Sequence, residues 1–146
     1  VPIQPNIDKL ATSMGTTRDT LLKLLYKLDM AQILELLTVE LKNYKRLVKP
    51  EKIYLGNTNI MYAFTPDINI GTLRETFFAD QLSTIGSVQI SPKGDFLIDG
   101  KYTFEVGGDG KDFGQIANIP DSYLAVDNTE MGYGARIPLW MFGLLY

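Results

Sequence analysis

The chain of 146 residues contains no cysteine and no histidine. Without cysteine it has no disulfide, no thiol nucleophile and no thiolate zinc site, and without histidine it lacks imidazole ligands and the commonest general base. Any catalysis therefore depends on carboxylates, lysine, tyrosine or hydroxyl groups. Any bound metal ion would be one that prefers oxygen ligands, such as Mg²⁺ or Mn²⁺.

Long hydrophobic runs are also missing from the sequence. No apolar stretch approaches the roughly 20 residues that cross a bilayer. The N-terminus does not have the charged and then apolar pattern of a secretion signal. We therefore expect no membrane association and a cytoplasmic location. The sequence opens on VPIQPN without an initiator methionine, which predicts a processed product or a piece of a longer protein.

Charge is distributed unevenly along the chain. Residues 1–53 contain nine Lys and Arg against six Asp and Glu, a net charge of +3, whereas residues 54–146 contain five against eleven, a net charge of −6. A basic first half is suited to lie along nucleic acid, although ordinary solvated surface explains the asymmetry equally well. The candidates for phosphate contacts are basic residues of the first half, Arg18, Lys23, Lys42, Lys45 and Arg46.

The first half has the pattern of two helices joined by a tight turn. Asn6 is a good helix cap, and Thr16 followed by Asp19 is typical of the start of a second helix. That helix would bury one leucine face, Leu21, Leu24, Leu25 and Leu28. AQILELLTVE continues the helix or becomes a strand, and a short strand is expected at 52–55. Two helices and a basic hairpin outline a winged helix, whose first helix would lie upstream of Val1.

In the second half the side-chain period changes from that of a helix to that of a strand. NIGTLRETFFADQLSTIG predicts an amphipathic helix, and the runs SVQI, DFLID, KYTFEVG and SYLAVD predict strands. Asp99-Gly100 predicts a hairpin turn that places Asp95 opposite Phe104, or opposite Glu105 if the pairing contains a bulge. PLWMFGLLY, with Trp140, predicts a buried helix. The fold class is therefore α/β or α+β, with helices flanking a mixed sheet.

Glu75, Asp95 and Glu105 form the arrangement that has chemical meaning. The hairpin brings Asp95 and Glu105 together, and two neighbouring carboxylates either bind a cation or raise one another's pKa. The helix carboxylate of Glu75 would complete a Mg²⁺ or Mn²⁺ site for phosphodiester hydrolysis. The alternative is that Asp95 and Glu105 are edge charges of a surface hairpin. The glycines that follow lack the G-x-x-x-x-G-K-[ST] pattern of a phosphate loop, and they predict a mobile turn.

The order of five blocks resembles the C-terminal region of a large group of prokaryotic AAA-type ATPases. The blocks are NIDKLATSMGTTRDTLLKLLYKLD, KIYLGNTNIMYAF, NIGTLRETFFADQLS, KGDFLIDGKYTFEVGG and IPLWMFGLLY. The resemblance implies a partial winged helix-turn-helix at 1–53 and a restriction-endonuclease-like domain, related to the PD-(D/E)xK nucleases, at 54–146. It also implies that the ATPase module, and with it the ATP site, lies before Val1.

The same resemblance implies roles for the acidic residues. Glu75 is similar to the helix glutamate of the family, Asp95 to its aspartate, and Glu105 to the glutamate of the nuclease E-x-K motif. Gly107 stands where that motif has lysine, which orients the attacking water and offsets charge in the transition state. Lys111 in the mobile loop, or Lys101 across the hairpin, are the alternative sources of this charge.

The missing lysine leads to an expectation of binding without catalysis. The chain is expected to be a C-terminal accessory domain of a prokaryotic AAA-type ATPase that binds nucleic acid or a protein partner. One alternative is a Mg²⁺- or Mn²⁺-dependent nuclease with a degenerate motif. Another is an oligomerisation or partner-sensing module.

Overall fold

The computed structural model describes residues 4–39 and 47–145. The predictions made for Lys42, Lys45 and Arg46 lie outside the described residues. Over those two ranges, no helix combines the length and the apolar character needed to cross a membrane.

The chain forms helices and two sheets. In chain order the elements are α1 (Ile7–Ser13), α2 (Arg18–Met30), β1 (Leu34–Leu37), β2 (Lys52–Leu55), α3 (Thr58–Phe64), α4 (Ile70–Ser83), β3 (Val88–Ile90), β4 (Phe96–Ile98), β5 (Tyr102–Gly107), β6 (Ser122–Val126), β7 (Arg136–Pro138) and a 3-10 helix (Leu139–Leu144). The expected α+β class is confirmed, because β3 to β7 form a mixed five-stranded sheet with helices against it.

The first two helices follow the predicted pattern with small shifts. The side chain of Asn6 caps α1 as expected, because it accepts the N–H of Lys9. The cap of α2 is Thr17, one residue later than predicted, and it accepts the N–H of Thr20. The predicted leucine face is wrong at Leu24, which is exposed. The residues of α2 that pack into the interior are Leu21, Leu22, Leu25 and Tyr26.

A two-stranded antiparallel sheet of β1 and β2 joins the two halves of the chain. Of the two alternatives for AQILELLTVE, the strand is the one found, at Leu34–Leu37. Successive side chains of a strand point to opposite faces, and here the two faces enter different hydrophobic clusters. Leu36 and Ile53 pack with α1 and α2, whereas Leu37 and Tyr54 pack into the larger core of the second half. The boundary expected between residues 53 and 54 falls inside β2.

The large sheet has the strand order β3-β4-β5-β6-β7. β3, β4 and β5 pair antiparallel, whereas β5, β6 and β7 pair parallel. Since β5 lies at the centre of this sheet, its residues from Thr103 to Val106 are buried on both faces. The sequence did not predict β7, because this strand has three residues and ends in Pro138.

The β4–β5 hairpin turns at Asp99-Gly100, as predicted. Both residues have positive φ, 52° and 65°, which is the backbone that an Asp-Gly hairpin turn requires. The pairing differs from the simple count by one residue, because Lys101 is left over as a bulge and Phe96 lies opposite Phe104. The same register sets Asp95 across from Glu105, which is the alternative that the sequence left open.

Phe78 of α4 lies at the centre of the larger core and is 0% exposed. Its ring centroid is 5.0 Å from that of Phe96, 5.0 Å from that of Phe104 and 4.8 Å from that of Phe142. Phe142 comes from the 3-10 helix, where residues three apart share a face, so Leu139 packs beside it. Trp140 is 54% exposed, and the prediction of a fully packed segment is wrong at this residue.

Phe78→Ala should therefore remove about 3–5 kcal/mol of unfolding free energy, because it leaves a cavity among three aromatic rings. The measurement is urea denaturation of the full chain. Phe64→Ala is the matched control, since Phe64 is 76% exposed and its loss should change stability by about 0.5 kcal/mol or less. Equal losses in the two variants would contradict the central position of Phe78.

Candidate active site

The predicted acidic residues lie together at one end of the central strand. Glu75 is on α4, Asp95 directly precedes β4, and Glu105 is on β5. The negative charges of Asp95 and Glu75 both act to raise the pKa of the Glu105 carboxyl, which shows that the three groups are electrostatic neighbours. Lys111 follows β5 in the loop and completes the group.

Glu105 is the buried member of this group, with 2% of its surface exposed. One carboxylate oxygen, Oε1, lies 2.5 Å from Nζ of Lys111. The other, Oε2, is buried and has no hydrogen-bond partner among the described residues. Burial raises the pKa of Glu105, and the neighbouring Asp95 adds to this, whereas the hydrogen bond from Lys111 works against it. A buried acceptor without a partner is costly and often marks a functional group.

Lys111 is held in place by the chain around it rather than left on a free loop. Its backbone N–H donates to the carbonyl of Gly108 over 3.0 Å. Arg136 of β7 donates from Nη1 to the carbonyl of Lys111 over 2.7 Å, and from Nη2 to the carbonyl of Asp109 over 2.9 Å. The same guanidinium therefore ties the loop at two points. This fixed placement differs from the mobile turn that the glycines predict.

Gly107 leaves the room that the Lys111 side chain occupies. A Cβ atom at position 107 would lie 2.8 Å from Cδ and 2.9 Å from Cγ of Lys111, closer than carbon atoms pack. A side chain at 107 and the observed position of Lys111 therefore exclude each other. The glycine at 107 therefore allows the Lys111 side chain to take its observed path to Glu105.

Lys101, the other alternative source of positive charge, lies at the hairpin turn. Its amine donates to the hydroxyl of Tyr102 over 3.2 Å and sits 4.6 Å from the centre of that ring. Of the two alternatives, Lys111 is therefore the one that contacts a predicted site carboxylate.

Glu75 is bound by two residues of β2 that the sequence did not single out. Its Oε2 accepts the hydroxyl of Tyr54 over 2.6 Å and lies 3.7 Å from Nζ of Lys52. Burial, together with the charge and the hydrogen bond of Glu75, raises the pKa of Tyr54 far above its ordinary value, so Tyr54 remains a donor. Lys52 and Tyr54 are two residues apart in β2 and therefore lie on one face of the strand. The sequence does not indicate which carboxylate that face contacts.

Asp95 is oriented by the backbone of the hairpin. Its Oδ2 accepts the N–H of Val106 over 2.8 Å, and its own N–H donates to the carbonyl of Phe104 over 2.9 Å. The carboxylate is therefore pinned beside β5, next to Glu105 in the strand register.

The site offers carboxylate oxygens, the type of ligand that hard divalent cations prefer. In the part of the chain that the structure describes, no three acidic side chains lie close enough to enclose a metal ion by themselves. Mg²⁺ retains several waters and commonly takes one or two carboxylates from the protein. The partnerless Oε2 of Glu105, with Asp95 beside it, supplies ligands of that kind.

The described residues that were predicted to contact phosphate, Arg18 and Lys23, do not lie together on the surface. Arg18 pairs with Asp8 at 3.1 Å on the exposed surface, and Lys23 is exposed further along α2. The two basic residues point about 140° apart around the helix axis, so α2 does not present them on one face.

Replacement of Glu105 should change how stability depends on pH. Because the pKa of Glu105 is raised by folding, the folded chain holds this proton more tightly than the unfolded chain. The unfolding free energy of the wild type should therefore fall as the pH rises through the folded pKa of Glu105. In Glu105→Gln, the unfolding free energy should not show the decrease with pH that comes from Glu105. The measurement is urea denaturation across a pH series.

Glu130→Gln is the control for that series, because Glu130 is an exposed carboxylate of the β6–β7 loop. Its stability should run parallel to that of the wild type with pH. A Glu105→Gln curve that also runs parallel would contradict the effect assigned to burial of Glu105.

Comparisons of the sequence with protein-family models, with curated proteins and with solved structures find no match in any of the three.

Proposed function

We propose that the chain carries a nuclease-type site that hydrolyses phosphodiester bonds of nucleic acid with Mg²⁺ or Mn²⁺. The observation that carries this proposal is the contact of Lys111 with Glu105 at 2.5 Å, made across the bare backbone of Gly107. The expectation of binding without catalysis rested on the missing lysine at position 107. A lysine amine at the same glutamate, supplied from position 111, supports a catalytic role for the site.

The residues divide the chemistry between them. Asp95 and Glu105 would hold the cation, which supplies a bound water of lowered pKa and stabilises charge on the phosphate. The Lys111 ammonium would orient the attacking water and offset the charge that develops in the transition state. Glu75, Asp95 and Glu105 against Lys52 and Lys111 leave a net charge of −1 when all five are ionised, so an approaching phosphate requires the cation.

We also propose that the large sheet with α4 is restriction-endonuclease-like and that the first half is a partial winged helix. The support is the position of each acidic residue: one on a helix, one at the start of a strand and one on the central strand. On this proposal the chain is the C-terminal region of a prokaryotic AAA-type ATPase, as the order of its sequence blocks implies.

A second candidate is an accessory domain that binds nucleic acid without cutting it. It is favoured by the ion pair itself, because Lys111 occupies one oxygen of Glu105 that a cation would otherwise take. Both candidates bind nucleic acid, and they differ in whether a divalent cation leads to cleavage.

The test is cleavage of end-labelled single-stranded and double-stranded DNA and RNA by the full chain, with EDTA, Mg²⁺ or Mn²⁺. We expect cleavage that requires the metal ion. Lys111→Met keeps the stem over Gly107 but removes the ammonium, and it should lower the rate about 100-fold or more. Lys101→Met, which removes an exposed amine at the hairpin turn, should leave the rate unchanged.

Salt-sensitive binding without cleavage would reject the nuclease and favour the accessory domain. The absence of both binding and cleavage would reject the two candidates together. A Lys111→Met variant as active as the wild type would reject the role of Lys111.

Gly107→Ala tests the steric relation between positions 107 and 111. The added methyl group would meet the stem of Lys111 at 2.8 Å and displace its amine, which should cost about 100-fold in rate, since small misplacements of reacting groups are that costly. Gly110→Ala is the matched control in the same loop, because no described atom lies within 4 Å of a Cβ there. Cleavage by Gly107→Ala at the rate of Gly110→Ala would contradict the steric argument.

A further inference from the structure

We infer that Tyr54 and Lys52, which β2 contributes from the junction of the two halves of the chain, are positioning residues of the active site and act through Glu75. The inference rests on the proposed function, because it assigns these residues a part in the same site. It adds that the site is complete only when the β1–β2 sheet is docked on the second half.

The hydroxyl of Tyr54 is fixed with respect to Glu75. Tyr54 is 2% exposed, and its ring lies 5.9 Å from the ring of Phe96, centroid to centroid, within the larger core. A ring held by core packing leaves its hydroxyl little freedom. The 2.6 Å hydrogen bond to Oε2 of Glu75 is therefore made from a rigid support.

Lys52 binds the same carboxylate oxygen from the same face of β2. Its Nζ is 3.7 Å from Oε2 of Glu75 and donates to the hydroxyl of Tyr54 over 3.5 Å. The side chains of Lys52 and Glu75 are only 21% and 20% exposed, so this ion pair is screened less than a surface pair. Lys52, Tyr54 and Glu75 form a closed group of three polar side chains.

Tyr54 and Lys52 bind one oxygen of Glu75 and leave the other without a protein partner among the described residues. Both partners use Oε2, and within the described residues no hydrogen bond uses Oε1. Groups that bind the rear of a metal-site carboxylate fix its orientation and strengthen its charge. Tyr54 and Lys52 therefore hold Glu75 with Oε1 available to a hydrated cation at Asp95 and Glu105.

The geometry also excludes a purely local role for the first half. β2 places Ile53 in the cluster of α1 and α2, and the adjacent Tyr54 in the larger core. A shift of β2 by one residue would exchange these faces and withdraw the hydroxyl from Glu75. The register that packs Ile53 against α1 and α2 is therefore the one that brings the Tyr54 hydroxyl to Glu75.

The test compares Tyr54→Phe with the wild-type full chain. The variant keeps the ring in the core and removes only the hydroxyl. We expect Mn²⁺ affinity, measured by calorimetry, or kcat for cleavage to fall about tenfold or more, with KM for nucleic acid unchanged. Lys52→Gln should behave in the same way, and Lys52→Arg should recover most of the loss because it restores the cation.

The controls remove the same groups elsewhere. Tyr62→Phe removes an exposed hydroxyl of α3, and Lys9→Gln removes an exposed amine of α1. Both should match the wild type in Mn²⁺ affinity and kcat.

The outcomes separate this inference from the proposed function. A wild type that neither binds Mn²⁺ nor cleaves nucleic acid rejects the proposed function, and the role of Tyr54 and Lys52 falls with it. An active wild type with unchanged Tyr54→Phe and Lys52→Gln rejects the inference alone. A Tyr54→Phe variant whose kcat loss is matched by loss of folded protein in thermal melting also rejects it, because the hydroxyl is then structural only.

Discussion

The buried carboxylate of Glu105 is the constraint on which the end of the central strand depends. β5 has a strand on each side and is covered on both faces, so a charge on it has little access to water. Lys111 supplies the compensating charge. Its stem requires the bare backbone of Gly107, and its position in the loop is secured by Arg136 from β7. The placement of Lys111, the glycine at 107 and the hydrogen bonds from Arg136 thus all serve to compensate the buried charge of Glu105.

The sequence predicted the elements of this arrangement better than their mutual placement. The Asp99-Gly100 hairpin and the acidic residues on α4, β4 and β5 follow from turn chemistry and side-chain period, which are local properties. The bulge at Lys101 was one of two alternatives, because a count from the turn does not show whether the pairing includes an extra residue. Trp140 was misassigned because a segment that is apolar throughout does not indicate which of its side chains face the core.

The sequence indicated Lys111 as one of two alternative sources of charge, but it did not predict the contacts of the charged residues, and the reason is different. Lys111 reaches Glu105 only because a side chain is missing at Gly107, and an empty space is not visible in a motif. Tyr54 meets Glu75, 21 residues away, through the docking of two hydrophobic clusters. Such contacts depend on tertiary packing and leave no periodic signal along the chain. Motif spacing alone therefore does not show that Lys111 contacts Glu105.

The exclusion between a side chain at position 107 and Lys111 also has an evolutionary consequence. A lysine at 107 would clash with the stem of Lys111 in its observed position, so the two side chains cannot both take these places. If a lysine moved between positions 107 and 111 by single substitutions, the intermediate would have lysine at both positions, which clash, or at neither. The effect of each substitution therefore depends on the other residue, so the two positions are expected to change together within a lineage.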